Sequence, residues 1–77
     1  MEIKQFLNNI EDAIDGIDAD TLNPEMEFRK LEQWDSLAVL STLAMVDAEY
    51  NTQIKADELR GCNTFNDLFN LIKTKKI

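Results

Sequence analysis

The sequence predicts an all-α domain: a small helical bundle of three main helices plus one short helix, with a long loop between the first two. Three observations predict it. Apolar residues recur at helical spacing in the first, middle and last segments, and no stretch alternates apolar and polar residues as a strand would. Only 2 glycines and 1 proline are present to interrupt helices. The 77 residues are expected to form a single domain, 1–77, near the lower end of sizes that fold unaided. A core this small leaves about 3–5 kcal/mol of net stability, little for building a deep enzymatic cleft.

Ile3, Phe6, Leu7, Ile10, Ala13, Ile14 and Ile17 share one face of a first helix, with Lys4, Glu11, Asp12 and Asp15 assigned to the other side. Gly16 is the expected stop, since glycine adopts the left-handed conformation that ends helices. Residues 17–34 read as a long connection in which Pro24 prevents a continuous helix. Leu22, Met26, Phe28 and Leu31 are apolar enough to pin that connection onto a core.

The next helix is predicted to begin at Asp35, whose carboxylate can accept the unpaired N–H groups of the first turn. Trp34 and Val39 then have the spacing of a hydrophobic staple. Leu37, Leu40, Leu43, Ala44, Val46 and Tyr50 are read as its inward face, up to Asn51. Ala56 to Arg60 is expected to make a short helix ending at Gly61. Thr64 opens a last helix, with Asp67 completing an imperfect capping box and Phe65, Leu68, Phe69 and Ile72 as its stripe. Lys73, Lys75 and Lys76 suit the negative pole of its dipole.

Composition removes several functions. With 0 histidines and 1 cysteine, the Ser-His-Asp and Cys-His arrangements, an internal disulfide and a Cys-rich zinc site are all excluded. Cys62 reads as a small buried hydrophobe rather than a reactive thiol. Asp15, Asp18 and Asp20 cluster near Gly16 but lack the ligand offsets of a calcium loop, so no metal site is expected. Met26 and Met45 read as core filler.

The formal charge is −7, concentrated before residue 51, whereas the last third is net positive. Such a chain repels nucleic acids and attracts proteins with basic patches; equally, the charge can serve solubility alone. No apolar run has the length of a signal peptide or membrane span. A cytoplasmic monomer without nucleic-acid partners is the expectation.

Ser36 stands in the first turn of the middle helix, and position alone leaves two readings. Its hydroxyl can help cap the helix, or it can carry an anionic group, which the free N–H groups and partial positive charge of a helix N-terminus stabilise.

Trp34-Asp35-Ser36-Leu37 at mid-chain, Asn51-Thr52-Gln53-Ile54 after the long helix, the short helix at 56–60 and the last helix from Thr64 together resemble the acyl carrier protein family. The resemblance covers nearly the whole chain, most firmly residues 31–72. It implies that Ser36 of the Asp-Ser-Leu motif receives 4′-phosphopantetheine from coenzyme A on a separate phosphopantetheinyl transferase. It implies further that acyl groups ride on the arm as thioesters, loaded and used by ligases or synthases with basic patches. Asp35, Leu37 and Asp47 are the expected partner interface, and Leu40, Leu43, Ala44 and Tyr50 candidates to line a shelter for the cargo. No catalytic residue is expected, and without a histidine nothing in the chain would activate Ser36.

Two kinds of departure stand out. Gln33 replaces a glycine frequent in the family, and Trp34 a smaller residue. Ala38, Ser41 and Ala48 occupy positions often acidic in the family, which leaves Asp35, Asp47 and Glu49 and suggests altered partner choice, a specialised carrier rather than one of general fatty-acid synthesis. Other readings are a peptidyl or aminoacyl carrier and a helical interaction module in which Ser36 only caps. A carboxylate hydrolase ranks last, because no pair of acids has a visible cause for a raised pKa.

Overall fold

The computed structural model describes residues 2–18 and 21–76, apart from the Lys76 side chain. Four α-helices follow in order: α1 (Ile3–Ala13), α2 (Ser36–Tyr50), α3 (Ala56–Arg60) and α4 (Phe65–Lys76). A 3-10 turn, Phe28–Lys30, lies in the long connection between α1 and α2. The only pairing of extended backbone among the described residues is an isolated bridge between Glu27 and Thr64. The all-α bundle of three main helices and one short helix is therefore what forms.

The stripe of α1 packs as its spacing requires: Phe6 and Ile10 have no exposure, and Leu7 and Ile14 very little. The helix stops at Ala13, earlier than Gly16, and Ile14 is already extended at φ −108°. Gly16 has φ +90°, so it supplies the left-handed residue of the turn beyond the helix end. Glu11 departs from the expected outer position. It is 7% exposed and its Oε2 accepts the backbone N–H groups of Thr21 and Leu22 at 3.1 and 3.2 Å. A carboxylate in that place satisfies the Leu22 amide, which would otherwise be buried without a partner, together with the more open amide of Thr21.

The long connection is held along its length. Leu22 and Phe28 are buried, and Met26 and Leu31 pack against the core. Residues 24–28 run beside the start of α4: Asn66 N–H donates to Pro24 O at 2.8 Å, Phe65 N–H to Met26 O at 3.2 Å, and Phe28 N–H to Asn63 O at 3.3 Å. Of the three aspartates near Gly16, Asp15 and Asp18 are exposed and Asp20 lies outside the described residues. No group of ligating side chains that could hold a metal ion comes together among the described residues.

At α2 the expected face needs correction. Leu37 and Leu40 are 66% and 64% exposed, and Ala44 is exposed too. The inward stripe is Ala38, Thr42, Met45, Val46 and Tyr50. Apolar residues surround this helix, so their spacing has no phase to read, and packing against α1 and α4 selects the face. Ala38, 3% exposed, is thus a core residue and not a surface position that lost an acid. Tyr50 closes the helix against α1: its ring meets Phe6 edge-on at 6.0 Å and its hydroxyl accepts from Asn9 Nδ2 at 3.1 Å. Burial pushes the Tyr50 phenol up. Asn51 at φ 50° ends the helix in the left-handed conformation asparagine tolerates.

The end of the chain follows its pattern. Phe65, Leu68 and Ile72 have no exposure and Phe69 has 5%. Thr64 Oγ1 accepts Asp67 N–H while Asp67 Oδ2 accepts Thr64 N–H, both at 3.1 Å, a reciprocal capping box. Lys75 pairs with Glu58 of α3 at 2.9 Å, and Lys73 lies over the Phe69 ring at 5.0 Å. No helix among the described residues is long and apolar enough to cross a membrane.

Candidate functional site

The first turn of α2 is built by Asp35. Its Oδ1 accepts Ala38 N–H at 2.8 Å and its backbone carbonyl accepts Val39 N–H at 3.0 Å. This leaves the N–H groups of Ser36 and Leu37, which have no partner inside the helix, facing the end of the dipole. Ser36 is exposed. Among the described residues its hydroxyl makes no hydrogen bond, so the capping role suggested by its position belongs to Asp35 alone.

Beside Ser36 opens a cavity of about 380 Å³. The start of α2 supplies Ser36, Val39 and Leu40 to it. Phe28 and Trp34 form an aromatic wall, with ring centroids 4.7 Å apart, and Ala56 and Leu59 close the α3 side. Trp34 and Val39 thus face one space, as a staple would place them. The bulky Trp34 is the residue that extends this wall. Gln33 donates from Nε2 to Gly16 O at 3.0 Å and ties the α1 turn to the entrance of α2.

Arg29 and Arg60 are the charged residues of the lining. The Arg29 guanidinium donates to Asn63 Oδ1 at 3.0 Å, to Cys62 O at 2.5 Å and to Arg60 O. It also lies 5.3 Å from the centre of the Phe28 ring. Arg60 pairs with Asp57 at 2.7 Å across an exposed turn of α3. Cys62 is buried, its thiol donating to Glu58 O at 3.6 Å, and burial pushes that thiol up, away from the reactive thiolate. Sequence reasoning did not single out Arg29, Leu59 or Arg60 for this site; they come from short segments whose place is set only by the tertiary fold.

The other candidates separate. Leu40 lines the Ser36 cavity, whereas Leu43 and Ala44 face a different open depression together with Asp47, Lys55 and Lys75, and Tyr50 belongs to the core. Asp35, Leu37 and Asp47 are all exposed along α2. From Ser36 onward the outer surface runs Leu37, Leu40, Ala44, Asp47 and Ala48, and no lysine or arginine occurs from Leu31 to Ile54.

The geometry can hold an anionic diester: an accessible hydroxyl, free N–H groups at the end of a fifteen-residue helix, and an adjoining cavity large enough for part of a small ligand. Comparison with known families agrees with that chemistry. Residues 5–72 match the family described as phosphopantetheine attachment site. Comparisons with curated proteins and with solved structures give no match.

Proposed function

This chain belongs to the phosphopantetheine attachment site family, whose members bear covalently attached 4′-phosphopantetheine, and we propose that Ser36 is its attachment residue and that it serves as an acyl carrier. The observation that carries the assignment is the unbonded, exposed Ser36 hydroxyl at the first residue of α2, with the capping duty taken by Asp35. When attached, the arm supplies a thiol on which acyl groups are held as thioesters. The chain's own residues position and present it. The free N–H groups of the first turn of α2 balance the negative charge at Ser36, and the apolar wall of Phe28, Trp34, Val39, Leu40 and Leu59 offers the cargo a refuge from water.

Asp35, Leu37 and Asp47 present the α2 surface to partners, first the phosphopantetheinyl transferase and then the loading ligase or synthase. Leu37 and Leu40 make that surface more apolar than an acidic stripe, which favours a dedicated partner of specialised biosynthesis over the general fatty-acid enzymes. The Asp35 carboxylate is committed to capping and the chain has 0 histidines to activate Ser36, which supports reading it as the substrate of a transferase. This reading puts it in the cytoplasm, where coenzyme A and the transferase meet it.

Intact mass before and after incubation with coenzyme A and a broad-specificity phosphopantetheinyl transferase tests the proposal. The wild type is expected to gain one arm and Ser36→Ala none. A natively folded wild type shown to start without the arm, and gaining nothing, would overturn it.

A further inference from the structure

The cavity beside Ser36 runs against the net charge of the chain. The chain holds 15 acidic residues against 8 basic ones, yet the lining of this cavity contains two arginines and no carboxylate. The two guanidiniums are not equivalent. Arg60 has a carboxylate partner in Asp57, but in an exposed pair that water already screens. Arg29 has none among the described residues. Its three acceptors, Asn63 Oδ1, Arg60 O and Cys62 O, are all neutral oxygens, so its fork is held in place with its charge uncompensated. A guanidinium fixed by neutral partners at the edge of an apolar space is prepared to receive an anion, and it disfavours a cation.

We propose that the cargo of this carrier is an acyl group ending in a carboxylate, a dicarboxylic acid held as its half-thioester, with its methylene segment against Trp34, Leu40 and Leu59 and its free carboxylate met by Arg29 and Arg60. The inference rests on Ser36 being the attachment residue. It sharpens that reading, because the same two arginines oppose the ammonium group of an aminoacyl cargo. The serine comes from α2 and the arginines from the 3-10 turn and the end of α3, so attachment point and anion receptor lie on different elements around one space.

The test loads the whole chain from acyl-coenzyme A with a broad-specificity transferase, using three cargoes of matched carbon backbone: hexanoyl, adipoyl and the methyl ester of adipoyl. Intact mass first confirms each loading at Ser36. The rate of thioester cleavage by hydroxylamine then reports how far each cargo is sheltered. The adipoyl form is expected to be cleaved at least about threefold more slowly than the other two. That difference should shrink in Arg60→Gln, which leaves the backbone carbonyl used by Arg29 in place, and in 0.5 M salt, about the range where charge interactions are strongly screened. Equal cleavage of the three cargoes, or faster cleavage of adipoyl, overturns the carboxylate cargo while leaving the carrier intact. If Arg60→Gln changes thermal stability only when the arm is present without cargo, the arm's phosphate is the anion received, and the proposal also falls. Absence of any mass gain is the separate failure of the carrier reading itself.

Discussion

α4 and α2 use their apolar side chains in opposite ways. α4 buries its large ones, Phe65, Leu68, Phe69 and Ile72, completely or nearly so. α2 turns Ala38, Thr42, Met45, Val46 and Tyr50 inward and leaves Leu37 and Leu40 about two-thirds exposed. One of its innermost side chains, Thr42, has no exposure and a hydroxyl without a hydrogen-bond partner among the described residues. α4 is therefore the scaffold of the bundle. α2 is less well matched to the core and keeps two of its leucines, Leu37 and Leu40, for whatever approaches Ser36.

The strongest way to break this contrast is a pair of alanine substitutions compared by urea denaturation. Phe65→Ala should lose about 3–5 kcal/mol, as much as a domain of this size has in total, and its unfolding transition should be largely complete before urea is added. Leu40→Ala should stay within about 0.5 kcal/mol of the wild type while lowering the rate at which a cognate partner uses the loaded carrier. Similar losses of stability in the two variants would erase the distinction between scaffold and working face.

A smaller effect of opposite sign sharpens it. Thr42→Val keeps the shape of the side chain and removes the unsatisfied hydroxyl, so it should raise stability by about 1 kcal/mol, seen as a higher urea midpoint with an unchanged slope. A loss would mean that the hydroxyl is satisfied in solution and that α2 fits the core as well as α4 does.

The smallest effect concerns how α3 and α4 are fastened. Backbone N–H groups from Asn63 and Thr64 hold the Asp67 carboxyl below its usual range, and the Lys55 N–H and Lys75 do the same for Glu58. A carboxylate whose folded pKa is lowered stabilises the fold above its unfolded pKa and ceases to do so as pH falls through the folded value. The start of α4 should accordingly loosen below about pH 4, and Asp67→Asn should flatten the acid limb of a plot of urea midpoint against pH. An acid limb unchanged by Asp67→Asn would show that these exposed carboxylates do not set it.

The same contrast explains what could be read from the residues. The stripes of α1 and α4 were legible because polar residues bound them on both sides, and the caps at Asp35 and Thr64 because the chemistry of a helix start is local. The inward face of α2 was not, since with apolar residues all round, Leu37 and Leu40 look as buriable as Val46. Glu11 was placed outside by its charge, although two amides ten or eleven residues downstream draw its carboxylate in. At the site, Ser36 and its motif were visible as a contiguous string. The cavity was not, because Phe28, Arg29, Leu59 and Arg60 meet only through contacts spanning some thirty positions.

Those contacts give the Arg29 clamp a topological meaning. By gripping Arg60, Cys62 and Asn63, 31 to 34 positions downstream, one guanidinium joins the backbone bonds between residues 24–28 and 63–66 in closing the chain into a ring. Within that ring lie α2, Ser36, α3 and all of the cavity lining except Phe28 and Arg29 itself. Closing a loop of this length costs chain entropy that grows only slowly with the number of residues enclosed. The cavity therefore depends on this buckle as well as on the helices, since its two walls come from opposite ends of the ring.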